Sequence, residues 1–89
     1  MKVWVQFLAF PQKVHIGYAD VELPKGADVM ALREAVGEKW GKQLGAYWDE
    51  DTHEFAVHVL VASEGRMLQD EEKLFEDQRL SVIGKIIGG

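Results

Sequence analysis

The sequence closes on two glycines, Gly88-Gly89, and this pair carries its strongest hint of chemistry. A carboxylate on a segment without side chains can thread a narrow channel and reach groups buried in a partner. Glycine suits such a segment because it has no Cβ and a wide choice of backbone angles. The competing interpretation is a frayed end, because chain ends are often disordered and glycine-rich. Two glycines alone favour fraying. The other reactive side chains offer less. There is no cysteine, which excludes disulfides, thiolate catalysis and Cys-ligated zinc together. Asp49, Glu50, Asp51 and His53 are metal-ligand types. Their spacing lacks the glycine turn and distal glutamate of a calcium loop, and zinc would need further placed ligands. A solvated acidic loop with no metal is expected there. His15 has no neighbouring partner for a triad, and no glycine-rich phosphate loop is present. Asp70, Glu71, Glu72, Glu76 and Asp77 form an acidic run, expected to be a solvated face or a surface that meets a basic partner.

These groups must be positioned by the elements around them. Val3, Val5 and Phe7 alternate with Trp4, Gln6 and Leu8 as in a strand, which Pro11 ends. A second extended stretch runs from Val14 to Leu23, with a bulge expected where the alternation slips at Tyr18-Ala19-Asp20. Pro24-Lys25-Gly26 is a stop, and Asp28 then sits where a helix N-cap belongs. Val29, Leu32, Ala35, Val36 and Trp40 form one apolar stripe, predicting a helix over 28–40 that Gly41 ends. Gly37 lies inside that helix, and close packing against the sheet would account for it. Residues 41–54 form a long connection pinned by Tyr47 and Trp48. Phe55 to Ala62 alternates clearly, Ser63-Glu64-Gly65 is a turn, and Arg66-Met67-Leu68 is a short strand. Residues 71–77 carry Leu74 and Phe75 as a turn or short helix, before a last strand with Leu80 and Val82 on one face.

The order strand, strand, helix, strand, short strand, strand describes an α+β roll. Its last strand lies parallel to the first, so that the valine faces and Leu80 meet the helix stripe. Trp4, Leu8, His58, Leu60 and Ile83 then fall on the opposite face of three adjacent strands. That face should be polar if solvent covers it, so an apolar cluster there marks a partner site, unless the Tyr47-Trp48 segment folds over it. His58 is expected to be a rim contact.

Composition narrows the function classes. The 89 residues suffice for one domain, with 47% hydrophobic and 28% charged residues. The net charge of −5 argues against nucleic acid as a partner, because that affinity comes from Lys and Arg on phosphates. The absence of a long apolar run argues against a membrane partner. With no signal peptide visible and no disulfide, a cytoplasmic location is expected.

The element order, the stretch from Val21-Glu22-Leu23-Pro24 into the helix, the closing Leu74 to Ile83 segment and Gly88-Gly89 together resemble the MoaD/ThiS family of small sulfur carriers, relatives of ubiquitin. The resemblance spans the whole chain. It implies a ubiquitin-like β-grasp fold: a mixed sheet of four to five strands with one main helix on one face. Residues 1–84 would form the domain and 85–89 a flexible tail. It further implies a protein co-substrate, not an enzyme. The carboxylate of Gly89, next to Gly88, would be adenylated by a ubiquitin-activating-type enzyme and converted to a thiocarboxylate. ATP would be used by that enzyme, with no cofactor bound to the carrier. Length and the long central connection lean toward the small subunit of molybdopterin synthase, in molybdenum cofactor biosynthesis. A large-subunit-like synthase partner would then accept the sulfur, and Ile86-Ile87 would belong to the segment inserted into partners. The alternatives are a lysine-conjugated modifier, a thiamin-pathway carrier and a β-grasp interaction module with an inert tail. The chain departs from the family pattern at Ala62-Ser63-Glu64-Gly65, where members often have an Asn-Gly turn after the middle strand. It departs again at Glu76-Asp77-Gln78, where an Asp-Gly-Asp turn is common.

Overall fold

The alternation of the first strand decides how the sheet is built. The computed structural model describes residues 1–8, 18–55 and 59–84. In β1 (Lys2–Leu8), Val3 and Val5 are fully buried and Phe7 packs against the core, while Trp4, Gln6 and Leu8 take the other face. β2 (Tyr18–Glu22) pairs antiparallel with β1, and β7 (Arg79–Gly84) lies parallel on its other side. β5 (Val59–Ser63) flanks β7, and β6 (Arg66–Met67) closes the edge, giving the five-stranded order β2-β1-β7-β5-β6. The first and last strands are therefore parallel neighbours, with β7 central. The bulge expected at Tyr18-Ala19-Asp20 is absent: Tyr18, Ala19 and Asp20 pair one-to-one with Gln6, Val5 and Trp4. Tyr18 and Asp20 simply occupy the outer face of an edge strand.

Among the described residues one α-helix, α1 (Val29–Leu44), packs across the inner face. Asp28 caps it in extended conformation, its carboxylate accepting from the Ala31 N–H at 2.9 Å. Val29, Leu32 and Val36 are buried against Val3, Val5, Val61 and Val82. Each contributes roughly 1.5–3 kcal/mol of transfer free energy. Arg33 ties the helix to the sheet, donating to the Val59 carbonyl at 2.7 Å and to the Asp70 carboxylate at 3.0 Å. Among the described residues, no helix is long and apolar enough to cross a membrane.

The helix does not stop at Gly41. It runs on to Leu44, and Gly45, at φ +58°, caps it. After the 3₁₀ turn Gly45–Tyr47, β3 (Trp48–Asp49) and β4 (Glu54–Phe55) form a separate hairpin. Phe55 therefore pairs with Trp48 and does not begin the sheet strand, which starts at Val59 within the described residues. Trp48 explains both helical glycines. Its indole lies flat along the helix, where a Cβ on Gly37 would overlap the six-membered ring and one on Gly41 would sit 2.9 Å from Cδ1. Gly37 thus makes room for the hairpin and not for the sheet.

Two tight turns carry the departures from the family pattern. Glu64 and Gly65 have φ of +51° and +76°, the left-handed pair that a two-residue hairpin loop demands and that Asn-Gly fills best. Asp77, at φ +62°, stands where a glycine would be at ease, and its N–H donates to the Lys2 carbonyl at 2.7 Å. A side chain in this region costs about 1–2 kcal/mol unless, like asparagine, it bonds locally. Glu64→Asn is therefore expected to raise stability by about 0.5–1 kcal/mol, seen as a rise of a few degrees in melting temperature. An unchanged or lower value would contradict a strained Glu64.

Residues 68–78 form no helix; turns and backbone bonds organise them. The Glu72 carboxylate accepts from the Gln69 N–H at 2.6 Å and from Arg66 at 2.8 Å. These bonds, the backbone one first, hold it below the ordinary glutamate range. Its stabilisation is complete above the pKa of an unfolded glutamate and is lost as pH falls through the folded value. Glu72→Gln should flatten the acid limb of the stability profile between those two values while leaving the limb above neutrality in place. A limb as steep as that of the parent protein would show that Glu72 does not contribute.

Candidate functional site

The outer sheet face follows from register. Leu8 pairs with Ile83 across β1 and β7, and Ile83 pairs with Leu60 across β7 and β5. These three side chains make one row on the face away from α1. The adjoining row runs Gln6, Ser81, Ala62, Met67. Leu8 is 39% and Met67 49% exposed, while Leu60 and Ile83 are half-buried. A partly exposed aliphatic row of this kind is a surface that a partner could cover. The Tyr47-Trp48 segment does not cover it, because Trp48 is buried against the helix on the other side of the sheet.

Trp4 shares the face but not the row. It opposes Arg79 and Asp20, and lies about 13 Å along β1 from Leu8. There it stacks on Tyr18, with centroids 6.1 Å apart and planes 13° from parallel, and the Lys2 amine sits 5.7 Å from its ring. The face therefore holds an aliphatic end and an aromatic end. His58, Ile86, Ile87, Gly88 and Gly89 lie outside the described residues. Tyr18, 52% exposed, and Met67 belong to the same face and were not read from the sequence. Tyr18 alternates with Asp20 and Glu22, a signal that could have placed it, whereas a two-residue strand gives Met67 no pattern to follow.

Because β1 and β7 are parallel, Leu8 and Ile83 sit at the end of the sheet from which the chain leaves after Gly84. Residues 85–89 follow Gly84 in the sequence. The entry to β7 is fixed by Gln78, a buried polar side chain. Its Oε1 accepts from the Phe75 N–H at 3.1 Å and its Nε2 donates to Ser63 Oγ at 3.4 Å. β7 is thereby held in register from its first residue.

The acidic loop is engaged in its own turn. The Asp49 carboxylate accepts from the Asp51 N–H at 2.9 Å and the Thr52 N–H at 3.3 Å, the local bonding characteristic of aspartate in turns. Among the described residues, no group of three His, Asp or Glu side chains converges as metal ligands would.

A charge in the aliphatic row separates a docking face from a core. Leu60→Asp is expected to weaken complex formation at least tenfold, while moving the melting temperature by no more than a few degrees. Unfolding by that change would show that the row is core.

No protein-family model and no curated protein matches the chain. Solved structures do match it. SAMP1, the small archaeal modifier protein 1 of Haloferax volcanii, superimposes with a TM-score of 0.73 at 15% identity, covering 100% of both chains. A Pyrococcus furiosus protein, provisionally assigned as molybdopterin converting factor subunit 1, gives 0.71 at 28% identity, over 97% of this chain and 99% of that one. The ubiquitin of Caldiarchaeum subterraneum gives 0.63 at 19% identity, over 100% of this chain and 98% of that one.

Proposed function

From a ubiquitin-like β-grasp fold of the MoaD/ThiS type, we propose that this chain is a small sulfur carrier, a protein co-substrate whose reacting group is the Gly89 carboxylate. The observation that carries this is the central, parallel β7. It ends at Gly84 beside the sheet end that displays Leu8, Ile83 and Leu60, five residues before Gly89 in the sequence. Partners grip the row and draw the terminal residues into their own catalytic site. Activation requires Gly89 to bear a free carboxylate. Its oxygen attacks the α-phosphorus of ATP in the adenylating enzyme and pyrophosphate leaves. Hydrosulfide supplied by a donor then attacks the acyl carbon, the bond to AMP breaks so that AMP leaves, and loss of the proton leaves a thiocarboxylate. No cofactor is held by the carrier itself, and both enzyme and ATP would be met in the cytoplasm. The likeness to a molybdopterin converting factor chain favours delivery of the sulfur to a large-subunit-like synthase.

A second reading is favoured by the likeness to SAMP1, called a small archaeal modifier protein. In it the same acyl-adenylate leads to an amide with a lysine of another protein. Both readings share adenylation, which can be measured alone. The cognate activating enzyme should catalyse exchange of labelled pyrophosphate into ATP only when this chain is present, and the exchange should vanish when Gly89 is removed. Exchange that persists with the truncated chain would exclude its terminal carboxylate as the substrate.

A further inference from the structure

On the side of the molecule away from the aliphatic row, a groove of about 380 Å³ runs between the first half of α1 and the β3–β4 hairpin. Its apolar surface comes from Met30, 54% exposed although on a helix, from half-buried Phe55, and from Trp48 and Val59 at the base. Its rim is acidic. Glu34 and Glu54 are both exposed there, and no ion pair engages either among the described residues. Among the described lining residues, His53 also faces the groove, and the Arg33 guanidinium is already committed to Asp70 at 3.0 Å and to the Val59 carbonyl. An exposed methionine beside an aromatic ring and two unneutralised carboxylates is complementary to one kind of occupant: an apolar side chain flanked by cationic ones.

We propose that this groove is a second docking surface, for a partner segment that seats an apolar side chain between Met30 and Phe55 and places lysine or arginine against Glu34 and Glu54. The hairpin forms one wall of the groove, and Trp48 on the Gly37-Gly41 notch sets its width. Because the groove and the aliphatic row lie on opposite sides of the sheet, one copy can hold a partner on each at once. The groove is independent of Gly89 chemistry, so either assignment can fail without the other.

The test is a titration of ¹⁵N-labelled protein with two synthetic peptides, one alternating lysine and leucine and one of the same pattern with glutamate for lysine. The lysine peptide should shift the amide signals of Met30, Glu34, Glu54 and Phe55, and the glutamate peptide should not. Glu34→Lys combined with Glu54→Lys, both at exposed positions, should weaken binding at least tenfold, and Leu60→Asp should leave it unchanged. The proposal would be overturned by equal shifts with both peptides, by shifts confined to the outer sheet face or the 70–77 acidic run, or by full binding of the doubly substituted protein. Concentration-dependent shifts at the groove without peptide would also overturn it, assigning the groove to a second copy of the chain.

Discussion

Replacing Trp48 with alanine is expected to cost about 3–5 kcal/mol, the usual consequence of removing a large buried aromatic, and to lower the melting temperature by more than about 10 °C. Trp48 is 7% exposed, fills the notch over Gly37 and Gly41, and meets the Phe55 ring edge-on at 5.2 Å and the His53 ring at 6.4 Å. Without it the hairpin loses its buried ring on α1 and keeps only half-buried Phe55 against the core. The complementary change is more diagnostic. Glycine to alanine within a helix normally stabilises by up to about 1 kcal/mol. Gly37→Ala should instead destabilise by about 1–3 kcal/mol, because its Cβ lands on the indole. In a Trp48→Ala background the same substitution should turn neutral or stabilising. A stabilising Gly37→Ala in the otherwise unchanged protein would show that the ring is not seated there.

The second large effect concerns the terminal residue. Deleting Gly89, or adding one residue after it, should reduce sulfur loading to background, with the melting temperature unchanged. Covalent geometry gives the reason. On the proposed chemistry the attacking oxygen would have to reach the α-phosphorus of ATP in the partner's site, and reacting atoms must approach to about 3–3.5 Å. One residue too few leaves the carboxylate about 3.5 Å short, and one too many places a peptide carbonyl where the carboxylate should be. Gly88→Val should also impair loading, because a branched side chain narrows the backbone angles available in a confined channel. Full loading of the truncated chain would contradict a role for Gly89.

The elements that repeat an alternation were legible in the sequence. Val3 and Val5, Val59 and Val61, and Leu80 and Val82 each face inward, and matching them to Val29, Leu32 and Val36 was enough to place the last strand beside the first. What misled was context supplied by distant residues. Gly41 resembles a helix stop, yet it is small because Trp48, seven residues on, lies against it. Phe55 continues the alternation of the strand after it, yet its partner is Trp48 across a hairpin. Tyr18-Ala19-Asp20 breaks the apolar pattern only because an edge strand exposes its outer face. The outer face was legible in parity but not in register. Alternation places Trp4, Leu8, Leu60 and Ile83 on one side, while only the pairing shows that Trp4 stands apart from the other three. The unneutralised acidic rim of the helix groove was invisible in the same way, since Glu34 and Glu54 are twenty positions apart.

The central claim is that Gly89 accepts sulfur, and the mass of the intact protein tests it most directly. The purified chain is incubated with its cognate activating enzyme, ATP and a sulfur donor, beside a reaction lacking ATP and one with Gly89 deleted. The account predicts that the complete reaction alone shows one oxygen replaced by sulfur, and that fragmentation places the change on Gly89. A properly folded chain that gains no sulfur in the complete reaction, or a truncated chain that gains it equally, would contradict the account.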